Sequence, residues 1–302
     1  MKHKIFALLM VLCLTLFSGC GSTAQNAANK SAENLPAQEL TVKMLDVGQG
    51  DSLLIESGGK TTLIDTGDLD EHAKFEADLK AAGVKKIDTL IITHPHADHL
   101  GGASVVFQNY PVGQVFDNGE ATTTKFYRNY LSTIKEKNIP YRALRDGDVL
   151  DLGGGATFTV LSPTEQMVKE GGKKNGKRNL NLNSIVGRLQ YGSFTMLFTG
   201  DAEKETEAGI LERHKAADLQ SEVLKSPHHG SHTSSTQAFL EAVHPEVALI
   251  SCGAGNDYGH PHKEILQRYQ KDGIKVYRTD LQGTITITTD GQTYQVKGEK
   301  ES

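Results

Sequence analysis

Short runs of Val, Ile, Leu and Thr recur along the chain and alternate with polar stretches of helix-compatible composition. Apolar runs of this length predict β-strands, and the longer polar stretches between them predict helices. The predicted strands cover residues 40–45, 52–57, 61–64, 89–93, 112–116, 156–161, 184–190, 195–199, 222–225, 247–251, 275–277 and 284–288. The predicted helices cover residues 71–82, 123–137, 202–215 and 263–272. Many strands with interspersed helices indicate a layered domain of the α/β or α+β class.

These elements fill residues 40–295 with no internal repeat and no linker, which favours one domain over several. A chain of 302 residues, 37% of them hydrophobic, can bury one sizeable core or two small ones. We therefore expect a single catalytic domain over residues 40–295, followed by a polar tail at 296–302.

The first residues have the composition of an export signal. Lys2 and Lys4 precede an apolar run over residues 5–17, and small residues follow it. A membrane-spanning anchor is the alternative interpretation, but the run is shorter than the roughly 20 apolar residues that a span needs. We expect a signal peptide over residues 1–19 and, because residues 20–39 offer little to bury, a flexible tether after it.

The end of this segment, residues 16–20, resembles a bacterial lipobox, which implies that Cys20 is lipidated and becomes the first mature residue. Phe17 departs from the commonest pattern, and plain secretion is the alternative. Cys13 would leave with the signal peptide, so Cys252 has no partner for a disulfide within the domain. The expected location is the outer face of a bacterial cell membrane, with the enzyme held by a lipid anchor.

Charge limits the range of partners. The formal net charge is −5, which argues against tight nonspecific binding of nucleic acid, although it permits a local basic patch. Residues 169–178 contain five basic residues among ten. This segment is either a solvated surface loop or a lip that contacts a phosphate group, and its role stays open at this point. No obligate protein partner is evident.

Four residues that can bind metal follow the predicted strand 89–93 within six positions: His94, His96, Asp98 and His99. A strand end that enters a tight loop can point alternate side chains the same way. His94 and His96 can then share one metal ion, while Asp98 and His99 turn toward a second one. The segment predicts a metal site.

Further candidates follow other predicted strands. Asp201 comes after strand 195–199 and Gly200, where it can bridge two metal ions; its alternative role is the N-cap of the helix that follows. His228 and His229 come after strand 222–225. One of them can complete the second metal site while the other faces substrate, and spacing alone does not choose between them.

Residues around these ligands can support them. Asp65, at the end of strand 61–64, can receive an imidazole N–H and fix a ligand histidine, or it can simply form a turn. His260 can protonate a leaving group or hold a substrate oxyanion. Ser231 and Tyr258 are additional candidates for contact with ligands or substrate. We expect His262 to be an ordinary residue at the start of a helix.

The motif His94-Pro-His-Ala-Asp-His99 resembles the HxHxDH signature of the metallo-β-lactamase fold. Within that superfamily the chain is similar to the soluble hydrolase domain of the ComEC DNA-uptake proteins, and the resemblance covers essentially all of residues 40–295. It is carried by matching segments at residues 45–52, 64–67, 183–184, 199–201, 227–231 and 258–261. The resemblance implies an αββα sandwich with the metal ions at one edge, between two sheets.

Two departures qualify this resemblance. Many members of the superfamily place a histidine before the strand that leads to Asp201, whereas this chain has only asparagines there, including Asn183, as the ComEC branch does. The first metal ion is then held by fewer nitrogen ligands, and the choice between zinc and manganese stays open. In addition, the long membrane channel region of ComEC proteins has no counterpart in this sequence.

The resemblance implies a dinuclear, metal-dependent phosphodiesterase, with extracellular DNA as the substrate and with His228, His229, His260 and Asp98 as catalytic candidates. Two metal ions about 3.5–4 Å apart activate water and stabilise charge on an attacked phosphorus. One alternative is an esterase for phosphorylcholine or another small phosphoester of the cell surface. A noncatalytic surface receptor for DNA is an alternative from a different class.

Overall fold

The computed structural model describes residues 39–300. The predicted signal peptide, Cys20 and nearly all of the predicted tether lie outside the described residues. The strands are β1 Leu40–Met44, β2 Leu53–Ser57, β3 Lys60–Ile64, β4 Ile87–Ile92, β5 Val112–Asp117, β6 Tyr141–Ala143, β7 Val149–Gly153, β8 Ala156–Ser162, β9 Lys173–Lys174, β10 Lys177–Arg178, β11 Val186–Tyr191, β12 Phe194–Phe198, β13 Val223–Lys225, β14 Val247–Ile250, β15 Lys275–Arg278, β16 Ile285–Thr289 and β17 Tyr294–Gly298. The α-helices are α1 His72–Ala81, α2 Ala97–Leu100, α3 Ala103–Asn109, α4 Lys125–Glu136, α5 Glu165–Glu170, α6 Lys204–Arg213, α7 Ala216–Leu219, α8 Gln237–Val243, α9 Lys263–Lys271 and α10 Thr279–Gln282.

Two large mixed sheets organise these elements. The first has the order β17-β16-β1-β2-β3-β4-β5-β6, and the second has the order β15-β14-β13-β12-β11-β8-β7. Strands β3 to β6 of the first sheet run parallel to one another, as do β12 to β15 of the second. Because parallel strands end at the same edge of a sheet, the loops that follow them lie side by side.

Three apolar clusters hold the layers together. One lies between the sheets and includes Met44, Phe158 and Phe198. A second includes Phe75 of α1 on the outer face of the first sheet, and a third includes Tyr269 of α9 on the outer face of the second. The helices that contribute to these outer clusters bury one side against a sheet, and the predicted αββα arrangement is confirmed.

All the predicted strands and helices are present, and no end differs by more than two residues from its predicted position. The predictions missed the strands β6, β7, β9, β10 and β17, and the helices α2, α3, α5, α7, α8 and α10. Strand β6 is short and largely exposed, and β17 alternates half-buried with exposed residues at a sheet edge, so neither contains an apolar run. Strand β17 also continues to Gly298, past the domain end expected at residue 295.

None of the helices in residues 39–300 is both long enough and apolar enough to cross a membrane. Cys252, the cysteine in this part of the chain, is buried and forms no disulfide.

Candidate metal centre

The polar residues singled out from the sequence converge where the two sheets meet. Asp65 and the segment from His94 to His99 follow the parallel strands β3 and β4 of the first sheet. Asp201 and the segment His228–His229 follow β12 and β13 of the second sheet. The centre is therefore built from both halves of the molecule.

Asp65 fixes the orientation of His99. Its Oδ2 accepts a hydrogen bond from His99 Nδ1 at 2.8 Å, and its Oδ1 accepts one from the Thr93 backbone N–H at 2.7 Å. Both side chains are fully buried. Because Nδ1 carries the proton, Nε2 of His99 presents a lone pair toward the centre, which is the orientation that a metal ligand requires.

Within residues 39–300 the potential ligand atoms form three groups; one of them is Asp51, Asp65 and His99, and the other two share the carboxylate of Asp201. Asp98, His99, Asp201 and His229 form the first of these two groups, and His94, His96 and Asp201 form the second. Oδ1 of Asp201 lies 3.2 Å from His99 Nε2 and 3.5 Å from His229 Nε2. Oδ2 lies 3.9 Å from His94 Nε2. The two oxygens of Asp201 thus face different donor groups.

The centre fits divalent metal ions. Asp201 Oδ1, His99 Nε2 and His229 Nε2 are buried, and none of them makes a hydrogen bond within residues 39–300. Buried polar atoms without a partner are costly, and these three are one another's neighbours. A divalent cation would provide their missing partner, and imidazole nitrogens with carboxylate oxygens suit both zinc and manganese.

The charged groups of the centre shift one another's pKa values. Burial by itself would raise the pKa of Asp201, but His99 and His229 outweigh it and hold that pKa well below its ordinary value. Burial would lower the pKa of His99, but the carboxylates of Asp201 and Asp65 outweigh it and raise the pKa well above its usual range. A positive charge is therefore stabilised at this position, which is what a metal cation would bring.

Histidines 228 and 229 point in different directions. Both residues have left-handed backbone conformations, with φ of 50° and 54°. His229 Nδ1 donates to the Ser251 carbonyl at 2.9 Å, which leaves Nε2 facing the ligand group of Asp201. His228 lies on the cavity wall, with Nδ1 3.0 Å from Thr233 Oγ1. The geometry therefore selects His229 as the ligand candidate of the pair.

The alternative role of Asp201 as a helix cap is wrong. Helix α6 begins at Lys204, and Glu203 occupies its N-cap position. Asp201 instead lies after Gly200, whose φ of 49° turns the chain at the end of β12. A side chain at position 200 would place its Cβ 2.9 Å from Thr93, so the close approach of the two sheets requires glycine there.

A buried ion pair beneath the ligands was missed by sequence reasoning. The Lys225 ammonium pairs with the Asp51 carboxylate, and both side chains are 1% exposed. Lys225 also donates to the Gly200 carbonyl at 3.0 Å, and Asp51 Oδ1 lies 3.5 Å from His229 Nδ1. The available signal was a lysine placed directly after the apolar residues of β13.

A cavity of about 320 Å³ opens above the ligands. Its lining combines ligand candidates with other polar residues: Gln49, His96, Ala97, Asp98, Asn181, Asp201, His228, His229, Tyr258 and His260. Burial, together with the nearby His229 and His228, lowers the pKa of His260 to about 3. Neutral His260 is suited to hold a substrate oxygen rather than to donate a proton from the resting state.

Other predicted residues lie around this cavity in supporting positions. Asn181 reaches the cavity wall, whereas Asn183 is buried and donates to Glu120 at 2.9 Å. Ser231 accepts from Thr233 and stabilises the loop after His229. The ring of His262 lies 3.3 Å from that of His232 at the surface, a pairing that the sequence did not predict.

The basic segment 169–178 comprises the last residues of α5 and the β9–β10 hairpin. Lys174 pairs with Glu203 and Glu205, and Arg178 pairs with Glu120. Lys169 pairs with Glu165, so three of the five basic groups have an acidic partner. Glu203, which lies 3.8 Å from His228 Nδ1, ties the hairpin to the rim of the centre. Whether it is a surface loop or a phosphate-contacting lip, the segment thus retains less positive charge than its sequence indicates.

Fold and site together define a metal-dependent hydrolase of the metallo-beta-lactamase superfamily, and the chain belongs to that superfamily: its family model matches residues 45–254. The chain is 32% identical over 268 residues to ComE operon protein 3 of Bacillus subtilis, which covers 82% of this chain and 33% of that protein. It is 32% identical over 254 residues to competence protein ComA of Neisseria gonorrhoeae, covering 84% and 33%. The predicted resemblance to competence proteins is confirmed.

A solved structure shows the same fold. Igni18, a metallo hydrolase of the archaeon Ignicoccus hospitalis, superposes with a TM-score of 0.52 and 17% identity over 82% of this chain and 98% of that one. The chain spans about a third of the length of the two competence proteins.

Proposed function

We propose that the protein is a dinuclear, metal-dependent phosphodiesterase that cleaves DNA on the outer side of the cell membrane. The observation that carries the proposal is the position of Asp201, whose two oxygens face the two donor groups of the centre. A pair of divalent ions supplies an activated water and stabilises negative charge on an attacked phosphorus.

The residues of this chain have separate tasks in this proposal. Asp201 would contribute to holding both ions, His94 and His96 would hold one, and Asp98, His99 and His229 would hold the other. Asp65 orients His99. His228 and His260 lie on the cavity wall and bind the oxygens of the phosphodiester, as neutral imidazoles that donate a hydrogen bond.

The similarity to the ComEC hydrolase domain supports DNA as the substrate. The test is to incubate the purified protein with Zn²⁺ or Mn²⁺ and with single-stranded or double-stranded DNA. We expect cleavage that depends on the metal and that Asp201→Asn abolishes, because the variant loses the shared anionic ligand. Absence of cleavage of both DNA forms with both metals would sink the nuclease proposal.

A second candidate is supported by the net charge of −5, since repulsion opposes binding of a polyanion. This candidate is an esterase for small phosphoesters such as phosphorylcholine. Hydrolysis of a chromogenic phosphorylcholine ester without DNA cleavage would favour it. A noncatalytic DNA receptor is the remaining possibility, and a purified protein that binds DNA but no metal would support it.

The proposed location depends on Cys20. We propose that the protein is exported and held at the outer face of the membrane by a lipid on Cys20. Labelling of cells with an alkyne analogue of palmitate should mark the protein, and Cys20→Ser should lose the label and enter the medium. Labelling of the serine variant would contradict the anchor.

A further inference from the structure

The ring of Tyr258 is an exposed aromatic surface at the mouth of the cavity. It is 66% exposed, the largest fraction among the exposed large apolar side chains of residues 39–300. Tyr258 is also part of the cavity lining. A large aromatic ring in such a position exposes apolar area to water, and binding a flat apolar group would cover it.

Tyr258 is the outermost member of a column of three rings. Its ring centroid lies 5.6 Å from that of His260, and the two planes differ by 18°. His260 in turn lies 5.9 Å from His229, with an angle of 25° between the planes. The column leads from a ligand candidate of the metal centre to solvent, and its outer end is the largely exposed face of Tyr258.

The loop that carries Tyr258 is held firmly by Asn256. The Asn256 side chain donates to the carbonyls of Gly253 and His260, at 2.9 and 2.7 Å. Its Oδ1 accepts from the backbone N–H groups of Tyr258 and His260, at 3.2 and 3.0 Å. A loop with these hydrogen bonds loses little conformational entropy when a ligand binds. The exposed ring is therefore preorganised.

We propose that Tyr258 stacks against a nucleobase of the substrate, next to the phosphodiester that is bound between Asp201 and His260. This inference rests on the proposed phosphodiesterase function and assigns its substrates to the nucleotide esters. Stacking on an aromatic ring accepts every base, as a nuclease without sequence preference requires. A quaternary ammonium group is recognised by several aromatic faces, whereas the cavity lining contains a single Phe, Tyr or Trp ring, that of Tyr258.

The test compares three esters with one leaving group: methyl, choline and thymidine 5′ p-nitrophenyl phosphates, each with Zn²⁺ or Mn²⁺. For Tyr258→Ala, we expect the ratio of kcat/KM for the thymidine ester to that for the methyl ester to fall about tenfold. Tyr258→Phe should retain the ratio because it keeps the ring, and Tyr258→Leu should lose it. Val149→Ala, at an exposed position outside the cavity lining, is the control.

An unchanged ratio in Tyr258→Ala would overturn the proposal. A selective loss of activity on the choline ester would also overturn it, because Tyr258 would then bind a cation. If none of the three esters is hydrolysed, the phosphodiesterase function fails, and the stacking of a base is decided by a binding measurement.

That measurement uses a tetranucleotide containing 2-aminopurine, whose fluorescence is quenched when the base stacks. With metal present, the purified protein should quench the emission, and Tyr258→Ala and Tyr258→Leu should not, whereas Tyr258→Phe should. Equal quenching by all the variants would show that the base binds elsewhere. The protein contains no tryptophan, so the signal is read without interference from that residue.

Discussion

The Lys225 ammonium and the Asp51 carboxylate form an ion pair that is almost completely buried beneath the metal centre. Lys225 also binds the Gly200 carbonyl, next to Asp201, while Asp51 lies beside His229. One buried cation therefore links the backbone that carries Asp201 with the side chain next to His229. A pair in this position contributes to the geometry of the centre as well as to stability.

Lys225→Met should leave the Asp51 carboxylate buried without its partner. We expect a loss of about 3–5 kcal/mol in the free energy of unfolding, because a buried charge that loses its counterion is strongly destabilising. Urea denaturation of the metal-free protein measures this loss. The double variant Lys225→Met/Asp51→Leu should regain much of the stability, since apolar groups replace the whole pair; a single variant as stable as the parent would contradict the role of the ion pair.

Asp65→Asn should weaken metal binding without unfolding the protein. The asparagine cannot accept the His99 N–H as strongly as the carboxylate does, so the ring loses its fixed orientation. We expect metal affinity to fall about 10- to 100-fold, the usual effect of removing a group that orients a ligand. Competition with a chromophoric chelator measures it. Asp151→Asn, at an exposed aspartate paired with Lys60, is the matched control and should bind metal as the parent does.

His229→Ala and His228→Ala should have different effects. His229 Nε2 lies within the ligand group of Asp201, so its removal should lower the bound metal by roughly one ion per chain, because a ligand is lost. His228 lies on the cavity wall, so His228→Ala should retain the metal and lower the rate of hydrolysis. Elemental analysis of the two purified variants distinguishes them. The reverse pattern would show that the left-handed turn presents His228 to the metal instead.

Metal binding should release protons and strengthen as the pH rises. In the metal-free centre, the carboxylates of Asp201 and Asp65 overcome burial and raise the pKa of His99 well above its ordinary value, so that at neutral pH His99 carries a second proton, on Nε2, besides the one on Nδ1. A metal ion must displace the proton on Nε2. Affinity should therefore increase with pH as long as the pH lies below the raised pKa of His99, and level off once that pKa is passed. Calorimetric titrations in two buffers of different ionisation enthalpy count the protons; a titration without proton release would contradict this prediction.

The fold was predictable because its central strands are apolar runs, whereas β6 and β17 were missed because edge strands alternate or are exposed. The segment from His94 to His99 was predictable because its ligands lie within six residues. Asp51 and Lys225 are far apart in the sequence, and an ion pair between them depends on the packing of two sheets. Likewise, no spacing rule predicts the left-handed turn that separates the roles of His228 and His229.

The basic segment 169–178 is a second case in which the sequence did not reveal the ion-pair partners. Its charge was clear from the sequence, but its partners Glu120, Glu203 and Glu205 come from other segments. Only the folded chain places those carboxylates beside the hairpin, and they change the interpretation of its charge.

The two sheets contribute separate ligands to one centre, so bound metal would hold the two halves of the domain together. Each half supplies its share from strands that are close in sequence, and neither half holds a complete set. Metal then stabilises the folded chain by mass action, by about 2.7 kcal/mol when free metal is at 100 times its dissociation constant. If the protein is exported as we propose, the stability of its fold would depend on the supply of metal outside the cell.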